Sequence, residues 1–81
     1  MTDDELLRRL KDRFPGATIY PEGGGGVSVQ HSDRRSLGIE IEDGRFRVTP
    51  TSASTEVRHA GRTKQFATFD ALCTRIAEFL A

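Results

Sequence analysis

Ten arginines, two histidines and one cysteine hold most of the chemistry open to this 81-residue chain. A guanidinium is a planar fork that matches carboxylate or phosphate, so the arginines are the candidate binding residues. Arg34-Arg35 is the densest basic point outside the helices, and Arg45, Arg47 and Arg58 recur in the segments between them. These five, Arg34, Arg35, Arg45, Arg47 and Arg58, form the candidate binding set. His31 and His59 fall in neither H-x-x-x-H nor H-E-x-x-H spacing, and one cysteine cannot complete a four-ligand zinc set. No metal and no cofactor is expected. Cys73 lies at the edge of an apolar stripe, where a small buried thiol is the ordinary role. A Cys–His nucleophile would need one of the two histidines within reach and a third group to orient it, and no spacing here supplies either. The paired carboxylates, Asp3/Asp4 and Glu40/Glu42/Asp43, each have a cation nearby and a structural task. The residues therefore predict a protein without catalytic activity.

Gly23-Gly24-Gly25-Gly26 resembles a phosphate loop only in composition. A phosphate cradle runs from a strand into a helix N-terminus, with Lys and Ser/Thr following. Here Val27-Ser28-Val29 follows, which alternates as a strand, and no lysine is near. The segment is expected to be a hairpin connection, flexible because glycine carries the largest backbone entropy.

Composition narrows the function classes further. Twelve Lys+Arg balance twelve Asp+Glu, so no net charge draws the chain to nucleic acid or an anionic membrane. Residues 23–68 are basic by only two, with seven Lys/Arg against five Asp/Glu. Arginine outnumbers lysine ten to two, but Asn and Trp are absent, a skew read as coding bias before function. At 36% hydrophobic and 30% charged, the chain is polar for a globular domain without the charge excess of a disordered one. A lone cysteine fits a reducing compartment. No apolar run approaches the roughly 20 residues of a spanning helix, and the acidic start MTDDELLRRL does not read as a secretory signal. One cytoplasmic domain over residues 1–81 is expected.

The elements that position these residues are helices at either end. Thr2 precedes Glu5 at capping-box spacing, Asp3 and Asp4 fill the first turn, and Arg8, Arg9, Lys11 and Arg13 follow. Asp4–Arg8 and Glu5–Arg9 stand at i,i+4 in the favourable order. Leu6, Leu7, Leu10 and Phe14 form one stripe about 100° wide, and Pro15-Gly16 ends the helix. At the other end Thr68 caps a helix over Phe69–Leu80, with Phe69, Leu72, Cys73, Ile76, Phe79 and Leu80 on one face.

Between the helices the period falls to two. Val27–His31, Leu37–Glu42 and Arg45–Thr49 alternate, and a short strand is expected around Ala17–Tyr20. Asp43-Gly44 is a two-residue hairpin signal that sets Glu42 opposite Arg45, Ile41 opposite Phe46, Glu40 opposite Arg47 and Ile39 opposite Val48. Arg34-Arg35 falls in a Ser32–Ser36 turn, and Pro50–Ser54 reads as loop. For Thr55–Ala67 the readings are a hairpin turning at Gly61-Arg62, with Val57 facing Phe66 and His59 facing Lys64, or one bent strand. The fold class is α+β: helix, antiparallel meander of five or six strands, helix, with both helices on one face of the sheet.

The other face would carry Thr18, Tyr20, Ser28, Gln30, Glu40, Glu42, Arg45, Arg47, Thr49, Glu56, Arg58, Thr63 and Gln65. It mixes three arginines with three glutamates and one aromatic ring, whereas an RNA-reading sheet needs several aromatic platforms. The helix–strands–helix order, with Gly61-Arg62-Thr63-Lys64 ahead of the second helix, loosely resembles a double-stranded-RNA-binding domain. In that family a basic cluster opens the last helix. Only Arg62 and Lys64 match, and Asp70 at that helix start repels phosphate, so membership is not assigned. The expected function is binding of another protein, as an adaptor, inhibitor or phage-type regulator. The alternative is weak nucleic-acid binding through the arginines. No membrane partner is expected, and self-association through an edge strand is open.

Overall fold

The computed structural model describes residues 1–32, 35–52 and 63–81. Helix α1 spans Asp3–Arg13 and helix α2 Phe69–Leu80; between them lie β1 (Thr18–Pro21), β2 (Val27–Ser32), β3 (Arg35–Glu42), β4 (Arg45–Ser52) and β5 (Lys64–Phe66). The strands form one antiparallel sheet in sequence order. This is the α+β helix–meander–helix arrangement expected, with five described strands and both helices contacting the sheet. None of the described helices is long and apolar enough to cross a membrane.

Local chemistry starts both helices. Thr2 Oγ1 accepts from the Glu5 N–H at 3.2 Å, and Thr68 Oγ1 accepts from the Ala71 N–H at 3.1 Å. Each cap satisfies one of the donors that a helix start leaves open. The α1 chain then leaves through Phe14, whose N–H still reaches Leu10 O, before Pro15.

Alternation makes the core. Ile19, Val29 and Leu37 form one cross-strand row, and Val27, Ile39 and Val48 a second. Ile41, Phe46 and Phe66 form a third. Leu6 and Leu10 of α1 and Leu72, Cys73, Ile76 and Phe79 of α2 close over these rows in one buried cluster.

The β3–β4 register is the expected one, from Glu42↔Arg45 through Ile39↔Val48. Asp43 (φ +52°) and Gly44 (φ +76°) both adopt the left-handed backbone that a type I′ turn demands. The ladder runs further than Pro50 suggested, because β4 continues to Ser52, opposite Arg35. Pro50 stands opposite Leu37, a position whose N–H in this register points away from β3. On that other side β5 pairs only from Val48 back to Phe46, so the missing donor costs no ladder bond among the described residues. The Ser32–Ser36 turn is correspondingly shorter, with Ser32 and Arg35 both in strands and a register shift after Gln30. The proposed pairings of Val57 and His59 and the Gly61-Arg62 turn lie outside the described residues. What is described of that segment is β5, whose Phe66 faces Phe46.

The glycine segment is a closed turn. The Gly25 N–H bonds Glu22 O at 3.2 Å, and the Glu22 N–H bonds Gly26 O at 3.1 Å. From the next layer, Asp3 Oδ2 accepts from the Gly26 N–H at 3.0 Å and ties the α1 start to the β1–β2 hairpin. Since the Glu22 N–H points across to Gly26 O, Tyr20 and Thr18 also direct their polar groups at β2, while those of Ile19 and Pro21 face the open side of β1. At Gly26 φ is +84° and an added Cβ would lie 2.5 Å from Ile39 O, whereas nothing stands within 4 Å of a Cβ on Gly23. Gly26→Ala is therefore expected to lower stability by about 2–4 kcal/mol, combining left-handed strain with overpacking. Gly23→Ala should change it by less than about 0.5 kcal/mol. Urea unfolding of the two variants checks the contrast; equal effects would mean that composition and not geometry governs the loop.

Candidate binding surfaces

Five strands leave one sheet face uncovered by the helices. Tyr20 (38% exposed), Thr18, Glu40, Glu42, Arg45, Thr63 and Gln65 are exposed there. Ser28 was expected to join them but is only 1% exposed. It stands between Tyr20 and Gly38 in its row. Thr49 and Thr63 hydroxyls bond each other at 3.1 Å along the same row.

The charges on this face are arranged differently from simple cross-strand pairs. Arg47 Nη2 meets Glu40 Oε1, directly opposite, at 3.0 Å, and Arg47 Nη1 meets Glu42 Oε2, diagonally, at 3.2 Å. A diagonal neighbour is within reach of a long side chain. Glu42 thus serves Arg47, and no ion pair joins it to Arg45 directly opposite. Arg45 is left exposed and without an ion pair among the described residues. The hydrogen bond and charge of Glu40, then the charge of Glu42, raise the already high Arg47 pKa. Its Nε is occluded and has no hydrogen-bond partner among the described residues.

The candidate arginines do not converge. Arg45 and Arg47 share the open face, two residues apart on β4. Arg35 is the first residue of β3, and its guanidinium lies 5.3 Å from the centroid of the Phe79 ring, on the helix side. Alternation explains this: residues 35, 37 and 39 point toward the helices, and an arginine there finds an aromatic face to cover. Arg34 and Arg58 lie outside the described residues, as does His59. His31 packs edge-on against the same Phe79 ring, centroids 5.6 Å apart.

Cys73 is 2% exposed within the core. Burial raises its thiol pKa first; Arg13 opposes the rise and Asp70 adds to it. No group of three or more metal-ligating side chains occurs among the described residues.

On the helix side, α1 carries cations that close on no carboxylate among the described residues. Neither Asp4–Arg8 nor Glu5–Arg9 forms an ion pair, and among the described residues Arg47 alone does so. Arg9 instead lies 5.9 Å from the centroid of Phe69. Arg9, Asp12, Arg13 and Phe69 line a shallow depression of about 380 Å³. A second, of about 410 Å³, is lined by Arg13, Phe14, Pro15, Gly16, Ala17 and Leu80. The sequence holds a trace of this surface, the four cations in the last two turns of α1, but helix-dipole complementarity explained them locally. Which part of α2 they meet depends on packing between residues some sixty positions apart.

Comparison of the chain with known protein families, with curated proteins and with solved structures finds no match.

The Cys73 environment predicts a slow thiol. Reaction with an aromatic disulfide reagent at neutral pH should be at least about a hundredfold slower in the native protein than in urea. Because the folded pKa is raised, the thiol's contribution to stability is complete below the unfolded value of about 8.5 and is lost as pH climbs through the folded one. The alkaline decline in stability should accordingly be shallower in Cys73→Ala than in the parent, measured by urea unfolding across that window.

Proposed function

We propose that this chain is a small non-catalytic protein-binding module that works in the cytoplasm and meets its partner through the open sheet face. The observation that carries the reading is the Arg47 clamp: two carboxylates balance the guanidinium and hold it in place. A side chain already fixed loses little freedom when a partner arrives. Exposed Arg45 and Tyr20 on the same face belong to the residue types that anchor protein interfaces. The same balance works against a phosphate polymer, which gains its affinity from uncompensated cations and loses it with salt. A buried, high-pKa thiol argues in the same direction against thiol catalysis.

Affinity capture from a lysate of the source organism, with and without nuclease, tests this reading. The expected result is a stoichiometric protein that survives nuclease and is retained at least about tenfold less well by Arg45→Ala or Arg47→Ala, the size of an anchor-residue loss. Recovery that disappears with nuclease would overturn the proposal in favour of a nucleic-acid partner.

A further inference from the structure

The α1–α2 surface lies on the other side of the molecule from Arg45 and Arg47. Its two depressions share one residue, Arg13, which separates an aromatic end at Phe69 from an apolar end at Phe14, Ala17 and Leu80. Phe14, Phe69 and Leu80 are half-buried, so each depression has an apolar floor that is already partly shielded from water. The rim is net positive, with Arg9 and Arg13 against Asp12: the two arginines are exposed, stand at i,i+4 on α1 and close on no carboxylate among the described residues, Arg9 lying 5.9 Å from the Phe69 ring centroid. Arg13 is near enough to α2 for its charge to act on the Cys73 thiol.

From this we infer that the α1–α2 groove is a second docking site, for an acidic peptide segment in which a carboxylate is flanked by large apolar side chains. The carboxylate meets Arg13, with Arg9 beside it, and an apolar residue enters the depression on either side. Charge complementarity selects the anion, and a guanidinium pairs with carboxylate through two parallel N–H donors. The apolar floors select side chains on both sides of it. A phosphate polymer fits poorly, because Asp12 lies on the rim. Repeated negative charge would meet it, whereas a single carboxylate at Arg13 need not. Shallow depressions open to solvent suit side chains presented by a partner better than an enclosed small molecule.

The test uses the full chain and fluorescein-labelled nonapeptides with a central Glu flanked by Leu or Phe at varied spacings. Matched peptides carry central Gln, and labelled single-stranded DNA serves as the polyanion. Anisotropy should detect a central-Glu peptide, with central Gln binding at least about tenfold more weakly, the loss expected of a charged pair. Arg13→Gln, and independently the rim variant Arg9→Gln, should each weaken that peptide severalfold, while Arg45→Ala leaves it within about twofold. Circular dichroism confirms that each variant is folded, and amide chemical-shift changes should centre on Arg9, Arg13, Phe69 and Leu80. Equal binding of Glu and Gln peptides, no binding up to about 1 mM, shifts centred on Arg45, or tighter binding of DNA that depends on Arg13 would each overturn the inference. The outer-face reading fails separately, since it turns on lysate capture by Arg45 and Arg47 variants and not on these peptides.

Discussion

The Asp43-Gly44 turn sets the register of β3 against β4, the longest ladder in the sheet, and most other features inherit their geometry from it. Two consecutive left-handed residues leave no freedom to insert or omit a position between the strands. A slip of β4 by one residue would move Phe46 and Val48 from the helix layer to water and would bring Arg45 and Arg47 under the helices. The apolar rows and the Arg47 clamp are thus two outcomes of one turn. Neither could be shifted without the other.

The helices are fastened to that sheet by two kinds of force. Burial of Leu6, Leu10, Leu72, Ile76 and Phe79 is non-directional and decides which face is covered. Direction comes from a few polar contacts, above all the Asp3 carboxylate on the Gly26 N–H. This bond joins residues 23 positions apart and meets a backbone donor just before β2 that the turn itself leaves open. Phe79 meets both His31 and Arg35, one ring in a T-shaped contact and one cation. α2 therefore has a specific seat on the sheet as well as a greasy one.

How much of this was legible in sequence depended on range. The caps Thr2 and Thr68, the helix limits and the Asp43-Gly44 turn are local, and local sterics and hydrogen bonding dictate them. The α+β class followed from the change of hydrophobic period. The extension of β4 past Pro50 was hidden because proline's penalty depends on which side of the strand its absent donor faces, a property of the register. Arg47 taking Glu42 from Arg45 was hidden because register fixes which residues stand opposite but not which long side chain reaches across the diagonal. Arg35 turned to Phe79 for the same reason that Arg9 turned to Phe69: each guanidinium found a ring supplied by a distant helix. Of the five candidate arginines, two share a face, one lies on the opposite side, and Arg34 and Arg58 fall outside the described residues. The α1–α2 groove needed the fold itself, since no spacing in the chain brings Arg13 to Leu80.

Pro21 bears on how the molecule behaves in crowded solution. Along the open side of β1, Ile19 offers an N–H and a carbonyl, and Pro21 offers a carbonyl alone. A second sheet approaching that border would find its first rung complete and the next one short of a proton, with the strand ending there. Growth by stacking border on border needs successive rungs. A single imino acid therefore limits this margin to one complete rung, at Ile19, where a strand with every donor present would offer two.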